Sequence, residues 1–369
     1  MKLYIYLLLL PILNFWLVSY IISFLLILFL LKIIFTKPIE PTLLSKPRNI
    51  HLTIIVPIFN ESDNLKNLID CFGNNQKKFD IVFIDDLSTD TSFKILIENQ
   101  DRLNYHIHSR KEKRGFVAGV LNDGFNFLQK NINNGNDCIE YVGVINGDCR
   151  FDKNMIDKVL DKLEKYDIDV LNLSNTADNL SSISQQIGML EKIFKNNLSK
   201  NVEVGLNNGY FLKKSSLIQV NQWSETELTE DLNLTLKLKE KKNKFFQSDL
   251  CVIDNIPSSL RILFNQKYRW IKGDITNRMK IKPKNFFDII VNIYYLFPLF
   301  TLFSIFLSPY LLLKNIFFMQ ILIWFIEITI YFKFENYKNI FSAVKYTFTQ
   351  FLFAIYFYLF YGLEKEDIW

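Results

Sequence analysis

From Leu3 to Leu31 the chain carries no charged residue, a stretch longer than the twenty or so apolar residues that one helix needs to cross a bilayer. A cleaved signal peptide is the competing reading, and the anchor is preferred because the run is too long and lacks a small-residue cleavage site before Lys32. Apolar character returns after Pro283 in three blocks, Phe286 to Leu313, Asn315 to Phe332 and Ile340 to Gly362. The chain is 49% apolar with 35 Phe, and these residues gather at the two ends. The sequence therefore predicts an anchor over 1–36, about three spans over 286–362, and an amphipathic interfacial segment over 258–285. The intervening 45–257 holds most of the charge and is long enough for one α/β domain with its own core.

Lys32, Lys37, Lys46 and Arg48 follow the first span, and Lys272, Arg278, Lys280, Lys282 and Lys284 precede the second. Basic residues on both flanks place the middle domain on the cytoplasmic side, here of the plasma membrane. The net charge of +5 reflects these juxtamembrane residues. Their expected partner is anionic lipid, not nucleic acid. Cys71, Cys138, Cys149 and Cys251 are scattered, with no C-x-x-C and no His at ligand spacing, which argues against structural zinc and a disulfide framework.

Within the middle domain, Leu52–Val56 and Asp80–Ile84 are short β-branched runs, each followed by a polar turn and an amphipathic stretch. Leu65, Leu68, Ile69 and Phe72 share one helical face in the first stretch; Phe93, Leu96 and Ile97 do so in the second. Further strands are predicted at 104–108, 141–145 and 168–173, with a helix over 154–166 capped by Asp152. Alternating strands and helices imply a mostly parallel sheet, whose ligands gather beyond the carboxyl ends of its strands.

Polar clusters stand at those ends. Asp85-Asp86-Leu-Ser-Thr-Asp90 follows the second strand. Its paired carboxylates can accept hydrogen bonds from a nucleobase imide or ribose hydroxyls, and Ser88 and Thr89 suit a helix N-cap. The same six residues also read as a solvated helix start. Asn146-Gly-Asp148 follows another strand, and its carboxylate suits a hard divalent ion bridging substrate phosphates; a plain Gly-Asp turn is the alternative. Thr229-Glu230-Asp231 offers a general base or an ordinary helix N-cap. Gln266, Arg269 and Trp270 suit a diphosphate and a sugar face, or an interfacial anchor.

In order and spacing these pieces resemble the membrane-integral family 2 glycosyltransferases, the branch that includes cellulose, chitin and hyaluronan synthases. The resemblance covers about 50–275. It runs through Ile54-Ile-Val-Pro57-Ile-Phe-Asn60-Glu61, Asp85–Asp90, Arg114-Gly115 with Ala118 to Gly124, Asn146–Asp148, Asn208-Gly209-Tyr210-Phe211, Thr229–Asp231 and Gln266–Trp270. It implies a GT-A fold and an inverting transfer from a nucleotide-sugar, UDP-linked in expectation, with Mg2+ or Mn2+ as cofactor. Pro57, Asn60, Glu61, Asp86, Arg114, Asp148, Gln266, Arg269 and Trp270 would then serve the donor, and Asp148 would hold the metal. Asp231, with Glu230 beside it, would be the catalytic base, and Gly209, in a loop, Tyr210 and Trp270 would meet the acceptor.

Three departures stand out. Asn146 replaces an expected Asp, Phe116 an expected Lys, and Leu232, Leu234, Leu236 and Leu238 alternate as in a strand where the family has a helix. The helix is preferred, because those leucines also cover a broad helical face. The expected acceptor is a growing polysaccharide, with possible coupling to export; a lipid acceptor, as in ceramide glucosyltransferases, and a non-catalytic nucleotide-binding scaffold are the alternatives.

Overall fold

The computed structural model describes residues 40–73, 79–103, 105–132, 139–178, 180–199 and 205–280. The predicted spans over 1–36 and 286–362 lie outside these residues, and no described helix is long and apolar enough to cross a membrane. The described residues divide between two compact units. The larger runs to Gln185 and resumes over Lys195–Ser258; the smaller holds Gln186–Phe194 and the residues from Ser259 onward.

The larger unit is built on one seven-stranded sheet. Its strands are β1 (Ile50–Ile58), β2 (Phe79–Asp85), β3 (His106–Ser109), β4 (Ile139–Ile145), β5 (Val170–Thr176), β6 (Gly209–Lys213) and β7 (Phe245–Ile253), in the order β3-β2-β1-β4-β6-β5-β7. Between them come α1 (Ser62–Phe72), α2 (Ser92–Leu103), α3 (Phe116–Asn131), α4 (Met155–Lys165), α5 (Ile183–Ser199), α6 (Lys214–Gln219) and α7 (Glu230–Glu240), with α8 (Leu260–Lys280) in the smaller unit. Strands β1 to β4 pair in parallel, as do β5 and β7, while β6 runs antiparallel between β4 and β5. The sheet is mixed but mostly parallel.

Burial on both faces explains the continuous apolar runs. Leu52, Ile54, Val56 and Ile58 join one core with Leu65, Leu68 and Phe72 of α1 and Val159 of α4. Ile55, with Val82 and Ile84, joins the opposite core with Leu121 and Phe125 of α3 and Leu234 and Leu238 of α7. Period-two alternation sends successive side chains to opposite faces, and helices cover both.

Several predicted elements shift. β3 and β5 begin two residues later than expected, and the helix over 154–166 is α4, whose N-cap is Asn154 and not Asp152; the Asp152 carboxylate accepts from the Asn154 amide at 2.8 Å, one step outside the helix. The buried face of α2 is Ile95 and Leu96, whereas Phe93 and Ile97 are exposed. The leucine run is helical: α7 buries Leu232, Leu234 and Leu238 together with Asn233 and Thr235. Gly209 opens strand β6, paired with Ile145, and so does not lie in a loop.

Candidate active site

Because every strand except β6 points the same way, the segments after β1, β2, β4, β5 and β7, and the one leading into β6, collect at one edge of the sheet. Pro57 is the penultimate residue of β1, paired with Ile84. Asn60 adopts a left-handed backbone, φ 56°, which Asn tolerates better than most residues. Its side-chain oxygen accepts from the Thr89 amide at 2.8 Å, while its own amide donates to Ser88 Oγ at 3.1 Å. Asn60 thus ties the β1 loop to the β2 loop, and α2 begins only at Ser92, whose amide donates to Asp90 at 2.9 Å. Ser88 and Thr89 are therefore loop residues, not the expected N-cap. The Glu61 carboxylate accepts from Asn64 at 2.9 Å; burial pushes its pKa up, against that hydrogen bond.

The paired acids of the β2 loop differ in role. Asp85 is 3% exposed and accepts from the Ser88 amide and the Ser109 hydroxyl. Asp86 stands beyond it, its amide donating to the Ile58 carbonyl at 2.8 Å. Burial raises the Asp86 pKa, and Arg110 opposes the rise. Arg114 grips both oxygens of Glu225, at 2.6 and 2.5 Å, and pairs with Asp123. Glu225 is the main reason its guanidinium pKa is raised.

A third group forms where β4 meets β7. Arg150 and Ile253 exchange backbone hydrogen bonds of 2.8 and 2.7 Å, bringing the Asn146–Asp148 loop against the residue after β7. There Asp148, Cys149 and Asp254 each present a ligand atom within 4.8 Å of the others. Asn208 donates to Asp254 at 2.6 Å, and its carbonyl accepts from the Asn146 amide at 3.2 Å. Two carboxylates give a hard divalent ion the oxygen donors it prefers. The Cys149 thiol lies 3.7 Å from Asp148 Oδ1, within weak hydrogen-bonding reach. The donor set fits Mg2+ or Mn2+. Asp254 escaped the sequence reading; its one local signal is an acid directly after Cys251-Val-Ile253.

Asp231 stands in the first turn of α7 beside Glu230. Its Oδ2 lies 4.0 Å from Lys195 Nζ, and Gly205 packs directly on the carboxylate. Tyr210, expected to meet the acceptor, is buried in the core. It is 4% exposed, its hydroxyl accepts from Trp223 Nε1 at 2.8 Å, and burial drives its pKa well above the usual phenol value.

Gln266, Arg269 and Trp270 lie on α8 of the smaller unit, at helical spacing that groups them on one side. Between them Lys267, almost fully buried, pairs with Glu191 at 2.8 Å. Trp270 is exposed.

Comparison with known proteins follows this geometry. A family model described as glycosyl transferase family 2 matches residues 53–217, and one described as glycosyl transferase family group 2 matches residues 142–361. The chain is 24% identical over 256 residues to the poly-beta-1,6-N-acetyl-D-glucosamine synthase of Staphylococcus aureus strain MSSA476, and 23% identical to that of strain COL. These alignments cover 65% of this chain and 59% of each relative. The chain thus spans less than two thirds of the length of the curated relatives it matches. Among solved structures, a mannosyltransferase from Pyrobaculum calidifontis in complex with GDP-Man and Mn2+ superposes with a TM-score of 0.64 at 14% identity, covering 96% of this chain and 98% of that one. That likeness is one of fold.

Proposed function

Because the chain belongs to glycosyl transferase family group 2, we propose that it is a membrane-embedded inverting glycosyltransferase that adds sugars from a UDP-linked donor to a growing polysaccharide. The observation that carries the reading is the meeting of Asp148 and Asp254 at the strand ends, two strands along the sheet from the Asp86 loop. A GT-A-like mixed sheet places its ligands at that edge.

In this reading Asp86 takes the nucleoside through an N–H or a ribose hydroxyl. Asp148 and Asp254 would hold the divalent ion, which when bound offsets charge on the departing diphosphate. Asp231 accepts the proton of the acceptor hydroxyl as that oxygen bonds to the anomeric carbon and the bond to the diphosphate breaks. The displacement is single, so the anomeric configuration inverts. The curated relatives, named as synthases of a β-1,6-linked polymer, support a polysaccharide product. The charge-free stretch Leu3–Leu31 and the apolar blocks over 286–362 support membrane embedding, with basic flanks favouring a cytoplasmic catalytic domain at the plasma membrane. Gln266, Arg269 and Trp270 are assigned to donor and acceptor on the motif alone.

The test is incubation of the purified full-length protein, in detergent, with Mn2+ and a panel of radiolabelled nucleotide-sugars, reading UDP release and product size. A polymer ladder is expected. A single extractable glycolipid would replace the polymer with a lipid acceptor, and nucleotide binding without turnover of any donor would refute catalysis.

A further inference from the structure

Arg110, the residue after β3, has a guanidinium only 1% exposed. Each of its three nitrogens is engaged. Nη1 donates to Asp86 Oδ1 at 2.5 Å, Nε to Asp123 Oδ2 at 2.8 Å, and Nη2 to the Arg114 carbonyl at 2.9 Å. Its backbone amide donates to the Asp85 carbonyl at 3.0 Å, which locks it to the end of β2. Room for the fork comes from Gly119, where a Cβ would stand 3.0 Å from Nη2 and 2.0 Å from the Arg114 carbonyl oxygen. A buried cation needs a partner, and Asp123 supplies one. Asp86 is therefore more than Arg110 needs for its own neutralisation.

The asymmetry of the Asp86 carboxylate shows what the second pair achieves. Oδ1 is pinned by Arg110, and no hydrogen bond to Oδ2 is found among the described residues. We propose that Arg110 is a positioning residue for donor recognition, fixing one oxygen of Asp86 so that the other is presented, charged and in one orientation, to the nucleoside. The inference rests on the donor reading above and adds to it a residue that touches no substrate. Asp123 holds the far side of the fork and is itself held by Arg114, which Glu225 clamps in turn.

The experiment uses the full-length protein and measures UDP affinity by calorimetry together with steady-state KM and kcat for the donor. Arg110→Gln should weaken UDP binding and raise KM by about tenfold or more, leaving kcat at saturating donor within about twofold, because only ground-state positioning is lost. Asp86→Asn should do the same, and the double variant should be no weaker than Asp86→Asn alone, since the two residues act through one interaction. Wild-type UDP affinity in Arg110→Gln, or losses that multiply in the double variant, would overturn the inference while leaving the donor reading intact. A wild-type protein that binds no nucleoside diphosphate would overturn both. Should Arg110→Gln fail to fold, Arg110→Lys decides the matter: the ammonium keeps the buried charge but cannot hold Asp86, Asp123 and the Arg114 carbonyl in one planar fork, so a loss of UDP affinity of about fivefold or more supports the pin, and wild-type affinity refutes it.

Discussion

Replacing Gly205 with Ala should disable the proposed base while leaving donor binding alone. A Cβ at 205 would stand 2.5 Å from Asp231 Oδ2 and 3.1 Å from its Cγ, with the Leu232 amide nitrogen at 3.4 Å. The nitrogen is at ordinary contact distance, so the conflict is with the carboxylate. A carbon to oxygen contact settles near 3.3 Å, so Oδ2 must withdraw by about 0.8 Å. The withdrawal is a side-chain rotation costing about 0.5–1.5 kcal/mol, since no backbone has to move. A loss of that size lowers Tm by only a few degrees in a domain of this length. Catalysis is far less tolerant, because a misplacement near 1 Å costs on the order of a hundredfold. Gly205→Ala is therefore expected to lose about a hundredfold in kcat while UDP affinity stays within about twofold. UDP release under saturating donor, calorimetric UDP titration and a thermal melt measure the three quantities. Unchanged kcat in the folded variant would mean that the Asp231 carboxylate is not the group that takes the proton, and the reasoning would fail.

Asp231→Asn should abolish transfer and leave UDP affinity within a few-fold, because proton acceptance matters only in the transition state; wild-type turnover would remove the base from the mechanism. Asp148→Ala and Asp254→Ala should each weaken Mn2+ binding by about tenfold or more in calorimetric titrations with UDP present, and tight binding that survives both would place the ion elsewhere. Asn146→Asp should strengthen Mn2+ binding without nucleotide by adding a carboxylate; an unchanged titration would mean that position 146 does not face the ion. Asp167, held at about 2 first by Lys244 and then by Arg48, contributes stability that is present above about pH 4 and lost as pH falls towards 2. Asp167→Asn should therefore lower Tm at neutral pH and match the wild type near pH 2, and a deficit that persists at pH 2 would show that the charge is not the cause.

What the sequence made legible was local. The run Leu52–Val56 is apolar at almost every position because helices bury both faces of β1, and such a run followed by a polar turn reads as a parallel strand without further help. Asp86 and Asp148 were visible for the same reason, each lying just beyond its own strand. The leucines of α7 alternate as in a strand because Asn233 and Thr235 are buried between them and the polar pattern no longer marks a single face, and the helix preferred on the family pattern is the one that forms. The polar face of β7 hid its strand: Gln247, Ser248 and Asp249 interrupt the apolar residues, and Gln247 pairs with Asn172 of β5 across the sheet at 2.7 Å. Without β7 in place, Asp254 has no visible neighbour. Arg110 was passed over because its meaning lies in Asp86 and Asp123, both distant in sequence.

The same non-local geometry changes the weight of Asn146. Along the chain, an Asn in place of an expected Asp leaves one negative charge fewer near Asp148, and a non-catalytic scaffold that has lost metal binding is the alternative it raises. In space, the second charge comes from Asp254, delivered by the Arg150–Ile253 bridge. The backbone amide of residue 146 donates to the Asn208 carbonyl and the Asn208 side chain donates to Asp254, a support that does not depend on the side chain at 146. A centre with two carboxylates still has the charge to hold a divalent ion against a diphosphate. With Asp254 beside Asp148, an Asn at position 146 is no argument against a divalent ion in the proposed reaction.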